Sequence, residues 1–225
     1  MPEVVEIVTP LHLSTQRDYL DRMLDDKVEC MKVAKKYGKE YWDGDRRFGY
    51  GGYKYIPDRW KPVAESLIER YGLNNESSVL DVGCGKAFLL LELKKILPGL
   101  QVAGFDISGH ALKHALDPVK EHLFIHSAKT PFAYEDKSFD LAISLGCFHN
   151  FNLMELETAF SEISRVSKNQ YVMVESYRNE SELFNLQCWA LTCESFLSPE
   201  EWLFFASNSD YNGELEFIFF PNDTT

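Results

Sequence analysis

From Ser77 onward the chain alternates two textures, and this alternation restricts its fold more than any other feature. Short apolar runs ("SVLDVG", "QVAGFDIS", "HLFIHS", "FDLAISL", "YVMVES") are separated by segments of helical spacing ("KAFLLLELKKIL", "GHALKHAL", "NLMELETAFSEISRVS"). A strand apolar on both sides must be covered on both faces, and strand–helix alternation makes its neighbours parallel. Right-handed crossovers then predict an α/β, Rossmann-like, doubly wound and mostly parallel sheet. The tail continues with helices over about 180–195 and 198–208 and a last strand in "ELEFIFF".

Residues 1–76 read as an N-terminal helical cap, or lid, on a domain spanning 77–225. The T-x-x-D run from Thr15 to Asp18 predicts a helix cap. Apolar side chains at Tyr19, Leu20, Met23, Leu24, Val28, Met31, Ala34 and Tyr37 predict a helix ending at Gly38. "YWDGDRRFGYGGYKY" (41–55) reads as a glycine-broken loop, and "RWKPVAESLIERYGL" as a second helix with Pro62 in its first turn and Gly72 at its end. A length of 225 residues suits one compact unit of this kind.

Charge narrows the partners. The 23 basic and 35 acidic residues leave a net charge of −12, a field that repels phosphate backbones, so nucleic acid is not expected as a partner. The five cysteines are odd in number and form no C-x-x-C pair, as in a chain of reduced thiols in the cytoplasm. The start of the chain has neither the basic nor the apolar region of a secretory signal, and no apolar run reaches membrane-spanning length. Oligomeric state leaves no mark in the sequence.

Chemistry concentrates at two strand ends. In "LDVGCGKAFLL", Gly83 and Gly85 let the backbone approach a ligand and turn sharply into a helix N-terminus. Asp81 at this turn would repel a pyrophosphate but suits an ammonium group or ribose hydroxyls. In "VAGFDIS", Asp106 closes the next strand, where a carboxylate can accept both hydroxyls of a ribose; the competing role, helix cap, falls better to Ser108.

Together "VLDVGCGKAFLLLELKK", "VAGFDIS" and "SFDLAISLGCFHN" resemble the first, second and fourth motifs of class I S-adenosylmethionine-dependent methyltransferases, over residues 77–176. The resemblance implies that fold, S-adenosylmethionine as cofactor and S-adenosylhomocysteine as product. It implies that Asp81, Gly83, Cys84 and Gly85 hold the methionine moiety, Asp106 the ribose, and Ile107 the adenine face. Ser127 and Ala128 fall at the adenine edge, and Leu145 and Gly146 beneath the transferring methyl. Departures from the pattern are Ala87 in place of a third glycine, Ser127 in place of an acid, no Pro-Gly-Gly turn in "SKNQYVMVES", and one strand too few at the end. Two other readings stay open: a non-catalytic cofactor-binding partner subunit, and an NAD-dependent oxidoreductase.

For the acceptor side, His149 and Asn150 follow the fourth motif strand, where a base and a polar orienting group belong, though packing and helix capping are equally natural there. The 41–55 stretch suggests a lid and substrate wall: Trp42, Tyr50 and Tyr53 to offer ring faces, Arg46 and Arg47 to hold an anionic group. Arg178, after the fifth motif strand, lies on the same side. His110 and His114 have helical spacing for a metal, but no acidic or cysteine partner joins them, so no metal is expected. The expected activity is methyl transfer to oxygen or nitrogen of a small molecule.

Overall fold

The computed structural model describes residues 2–13 and 17–222. Within them, β1 (Glu3–Val4), β2 (Ser78–Val82), β3 (Gln101–Asp106), β4 (Leu123–Ile125), β5 (Phe139–Leu145), β6 (Ser167–Glu175) and β7 (Glu214–Ile218) form one sheet of order β1-β7-β6-β5-β2-β3-β4. Every neighbouring pair is parallel.

The alternation of side chains along β2 explains the double winding. Leu80 and Val82 face one layer with Phe105, Phe160, Ile163 and Trp202. Val79 faces the other, with Leu67, Leu90, Leu93, Leu141 and Ile143. The first layer is covered by α8 (Leu153–Val166) and α10 (Pro199–Asn208), the second by α5 (Lys61–Tyr71) and α6 (Phe88–Ile96). Capping is written locally: Asn152 and Ser198 each form a reciprocal box with the Glu three residues on, and Gly72 ends α5 in the left-handed conformation. Beyond β3, α7 (Gly109–Lys113) is capped by Ser108; α9 (Glu180–Trp189) precedes α10.

The N-terminal region departs from the expected helical cap. Glu3–Val4 is a strand that pairs with Glu214–Leu215 and occupies the sheet edge. The Thr15 cap lies outside the described residues; the helix there, α2 (Tyr19–Leu24), is capped by Asp18. The single helix expected to reach Gly38 breaks at Asp26, whose φ of 39° is left-handed, and resumes as α3 (Lys27–Ala34). Leu20, Leu24 and Val28 are exposed, so their spacing does not mark a buried face. The 41–55 stretch is not wholly loop: it begins inside α4 (Lys39–Asp43).

The first helix, α1 (Thr9–Leu13), is tied to the sheet by one carboxylate. Glu216 on β7 is fully buried and accepts from the backbone N–H of Ile7, Val8 and Thr9 at 2.6–3.0 Å, from Thr9 Oγ1 at 2.7 Å, and from the Tyr171 hydroxyl. The amides of Val8 and Thr9 are orphan donors at the helix start, where the aligned peptide dipoles favour an anion, and that of Ile7 comes from the segment leading into it.

Candidate active site

Where the sheet order reverses, β2 and β5 lie side by side and the carboxyl ends of β2, β3 and β5 diverge, leaving a crevice. The loops after these strands floor two cavities, of about 230 Å³ and about 70 Å³. The larger is lined by Asp106, Ile107, Ser127, Ala128, Leu145, Gly146 and Asn150 from the sheet side and by Tyr37, Tyr41, Trp42 and Tyr50 from the N-terminal side. The smaller is lined by Asp81, Gly83, Cys84, Gly85 and Phe88, with Tyr53 and Trp60 opposite.

Close approach at the first turn depends on glycine. Gly83 has φ +77°, and a Cβ there would fall 2.5 Å from Cys147 Sγ; a Cβ on Gly85 would fall 2.6 Å from the Trp42 ring. Ala87, expected inside the helix, instead caps α6 at φ 56°. A non-glycine residue there carries strain of roughly 1–2 kcal/mol, which its complete burial in the α5–α6 layer offsets.

The two carboxylates differ in surroundings. Asp106 is buried and accepts from Gly85 N at 2.9 Å and Ser108 N at 2.7 Å, so backbone amides hold its orientation; burial nonetheless raises its pKa. Asp81 is buried with no hydrogen-bond donor or cation on its carboxylate among the described residues. Burial, helped by the charge of Asp106, pushes its pKa up to about 8. A buried carboxyl this short of partners fits a ligand that brings an ammonium group. With glycine backbone beside it and Asp106 across the turn, these residues suit S-adenosylmethionine.

The lid is fastened by a buried cation, an indole hydrogen bond and stacked rings. Lys86, between Gly85 and α6, is buried and sends Nζ to Asp43 Oδ1 at 2.6 Å and to Tyr53 O at 2.7 Å. Trp42 Nε1 donates to Ser108 Oγ at 2.8 Å, and Ser108 Oγ donates to Tyr37 O at 2.5 Å. The rings of Trp42 and Tyr50 stack at 13° and those of Tyr53 and Phe88 at 27°. The signal for Lys86 was present: a lone cation between glycines and "AFLLL" has to be buried when the helix packs. Tyr37 gave no such signal, because a helix continuous to Gly38 makes it an ordinary core position; Tyr41 opens the 41–55 stretch but nothing in the sequence sets it apart from the other aromatic residues there.

Other expected site residues stand elsewhere. His149 is buried and lines neither cavity: its Nδ1 accepts from Glu175 N at 3.2 Å, its Nε2 lies 3.5 Å from Glu175 Oε2, and burial lowers its pKa. The ring is therefore a structural link between the loop after β5 and the end of β6. Arg46 lies over the Trp189 ring and bonds Gly49 O, while Arg47 pairs with Asp25 at 2.7 Å; both hold the lid together rather than facing the cavities. Arg178 pairs with Glu182 and covers Phe219, also outside them. Asn150 does line the larger cavity: Nδ2 donates to Gly146 O and Cys147 O, and Oδ1 is buried without a partner. His110 and His114, read as lacking an acid, have one: Asp43 comes to them from the lid.

Comparison with known proteins agrees with this architecture. Residues 79–170 match the family model of the methyltransferase domain. A putative methyltransferase of Haloferax volcanii, solved in complex with the Trm112 methyltransferase activator, superposes with TM-score 0.53 at 17% identity over 69% of this chain and 77% of its own. A putative methyltransferase from an antibiotic biosynthesis pathway of Anabaena variabilis gives 0.53 at 22% identity, over 65% of this chain and 60% of its own. The YcgJ protein of Bacillus subtilis gives 0.51 at 20%, over 65% and 66%. The chain thus spans less than two thirds of the latter two, and at these identities the likeness is one of fold. Residues 79–170 thus match a methyltransferase domain, set in a sheet that has the fold of solved putative methyltransferases.

Proposed function

We propose that this enzyme methylates a small molecule, at nitrogen or at an already acidic oxygen, inside the lidded crevice, in the cytoplasm and without a nucleic-acid partner. The observation that carries this reading is the larger cavity, which cofactor-motif residues and lid aromatics line together. A chamber closed by tyrosine and tryptophan rings suits an acceptor small enough to be enclosed. The acidic surface and the five free cysteines are in keeping with the rest.

S-adenosylmethionine, when bound, supplies a methyl group on a positively charged sulfur. The residues supply position and dryness. Asp81 and the glycine turn would receive the methionine end, Asp106 the ribose, and Ile107, Ser127 and Ala128 the adenine. Leu145, Gly146 and Asn150 border the space left for the acceptor. Burial raises the pKa of Tyr37, Tyr41 and Cys147, so they stay protonated, and His149 is turned away. Tyr37, Tyr41 and Cys147 therefore offer no base; the imidazole on the cavity wall is that of His126, whose Nε2 is held by Pro131 O. An acceptor that needs no tightly held proton removed, a neutral amine or an ionised oxygen, suits the chamber best. Asn150 Oδ1 is an acceptor suited to a donor on the substrate.

Two measurements test this. Calorimetry should show binding of S-adenosylmethionine and S-adenosylhomocysteine, weakened tenfold or more by Asp81→Asn; no heat from either ligand would sink the reading. Release of S-adenosylhomocysteine across a panel of amines, carboxylates and phenols should then pick out one acceptor class. Turnover only with protein or nucleic-acid substrates would rule out a small-molecule acceptor.

A further inference from the structure

Asp43 closes α4 in the lid, and His110 and His114 stand four residues apart on α7 and its C-terminal cap. Taking one donor atom from each, all three lie within 4.8 Å of one another. His110 Nε2 is 2.7 Å from Asp43 Oδ2, and the two imidazoles face each other with centroids 4.2 Å apart. His114 Nδ1 is 2.8 Å from the carbonyl oxygen of His110. A carbonyl only accepts, so Nδ1 carries the hydrogen and Nε2 of the neutral ring presents a lone pair. This is how a backbone oxygen prepares a histidine for a metal.

We propose that Asp43, His110 and His114 form a site for a divalent transition metal, with zinc the best match, that fastens the lid to the cofactor domain. Two imidazoles and one carboxylate make a three-ligand set for tetrahedral zinc, and the exposure of His114 leaves room for water as the fourth ligand. On binding, His110 Nε2 turns its lone pair to the metal in place of its contact with Asp43 Oδ2, the neutral ring carries its single hydrogen on Nδ1, and any proton displaced from Nε2 leaves to solvent. Lys86 is the competing cation, 2.6 Å from Oδ1 and 2.8 Å from Oδ2 of the same carboxylate. A carboxylate has two oxygens: Oδ1 stays with Lys86, and Oδ2, which faces His110, goes to the metal. The neighbouring ammonium lowers the affinity of the site below that of the same ligands without it.

The consequence is mechanical. Asp43 follows Trp42, whose ring covers Gly85, and Ser108, which receives the Trp42 indole, caps the helix bearing His110. A metal here replaces one hydrogen bond with coordinate bonds across the lid seam, outside both cavities.

Cobalt(II) titration of the full chain tests the site, because its visible spectrum separates nitrogen and oxygen ligands from the thiolates of the five cysteines. One equivalent should bind without a thiolate charge-transfer band, zinc should displace it, and His114→Ala should weaken uptake tenfold or more. His114 is exposed, so this variant should melt at the wild-type temperature when metal-free. Bound zinc should also slow backbone hydrogen exchange across residues 39–53 in the wild type and not in His114→Ala. No uptake, a thiolate band, or equal affinity in the variant overturns the site; binding with unchanged exchange overturns its fastening role.

Discussion

At the scale of single residues, burial decides what the charged groups do. Asp81 has an ordinary pKa of 3.8 and a folded one of about 8. Between those values the folded chain holds a proton that the unfolded chain has lost, so stability falls as pH rises through the window from about 4 to 8. Asp106 contributes with the same sign, since burial raises its pKa too. Asp81→Asn removes the larger part: the melting temperature should depend on pH less steeply than in the wild type, and at pH 8 the ligand-free variant should be the more stable. Parallel slopes in thermal melts between pH 5 and 8.5 would contradict this. His149 behaves differently because its neutral ring serves as an acceptor. His149→Phe leaves Glu175 N–H without that partner, and about 1–3 kcal/mol of stability should be lost in urea titrations. The pH–rate profile should keep its shape; a lost limb would restore His149 as a base.

At the scale of elements, the lid is a set of connections to the first turn and α7. Lys86 bridges the cofactor turn to Asp43 and Tyr53, and its side chain is only 6% exposed. Lys86→Met keeps the length of the side chain and removes the ammonium, leaving Asp43 with His110 alone. Loss of a mostly buried ionic contact of this type costs about 1–3 kcal/mol. Because few elements depend on it, the loss should appear as local opening: exchange across 39–53 should quicken about tenfold or more while the sheet amides stay protected. Uniform acceleration throughout the chain would instead make Lys86 part of the global fold. The same connections explain why Arg46 and Arg47 face away from the cavities. Their partners, Trp189 and Asp25, are in the lid and the helices beside it.

At the scale of the whole molecule, one carboxylate joins the start of the chain to its last strand. Glu216 receives three backbone amides, the Thr9 hydroxyl and the Tyr171 hydroxyl in a fully buried position. Glu216→Gln turns an oxygen into an amide that cannot accept, and should cost about 3 kcal/mol. Limited proteolysis should then release the first dozen residues before the sheet is cut; an unchanged cleavage pattern would show that β1 alone holds the segment.

The sequence by itself determined the six strands from Ser78 onward, their winding and the cofactor turn. Doubly apolar strands leave one solution, and "LDVGCG" and "FDIS" place their carboxylates at strand ends whatever the rest of the chain does. It also showed that the 41–55 stretch was poor core material, though not which of its side chains would face the crevice. Tertiary structure alone decided the rest, because those facts depend on partners far away in sequence. Tyr37 and Tyr41 came to line the cavity beside residues 105–107 and 145–151, and His149 took Glu175 N–H as its partner instead of lining it. Asp43 met two histidines 67 and 71 positions away, and Glu3–Val4 found a sheet edge more than 200 residues downstream. Local periodicity records which face of an element is apolar; it carries no record of what will come to lie opposite.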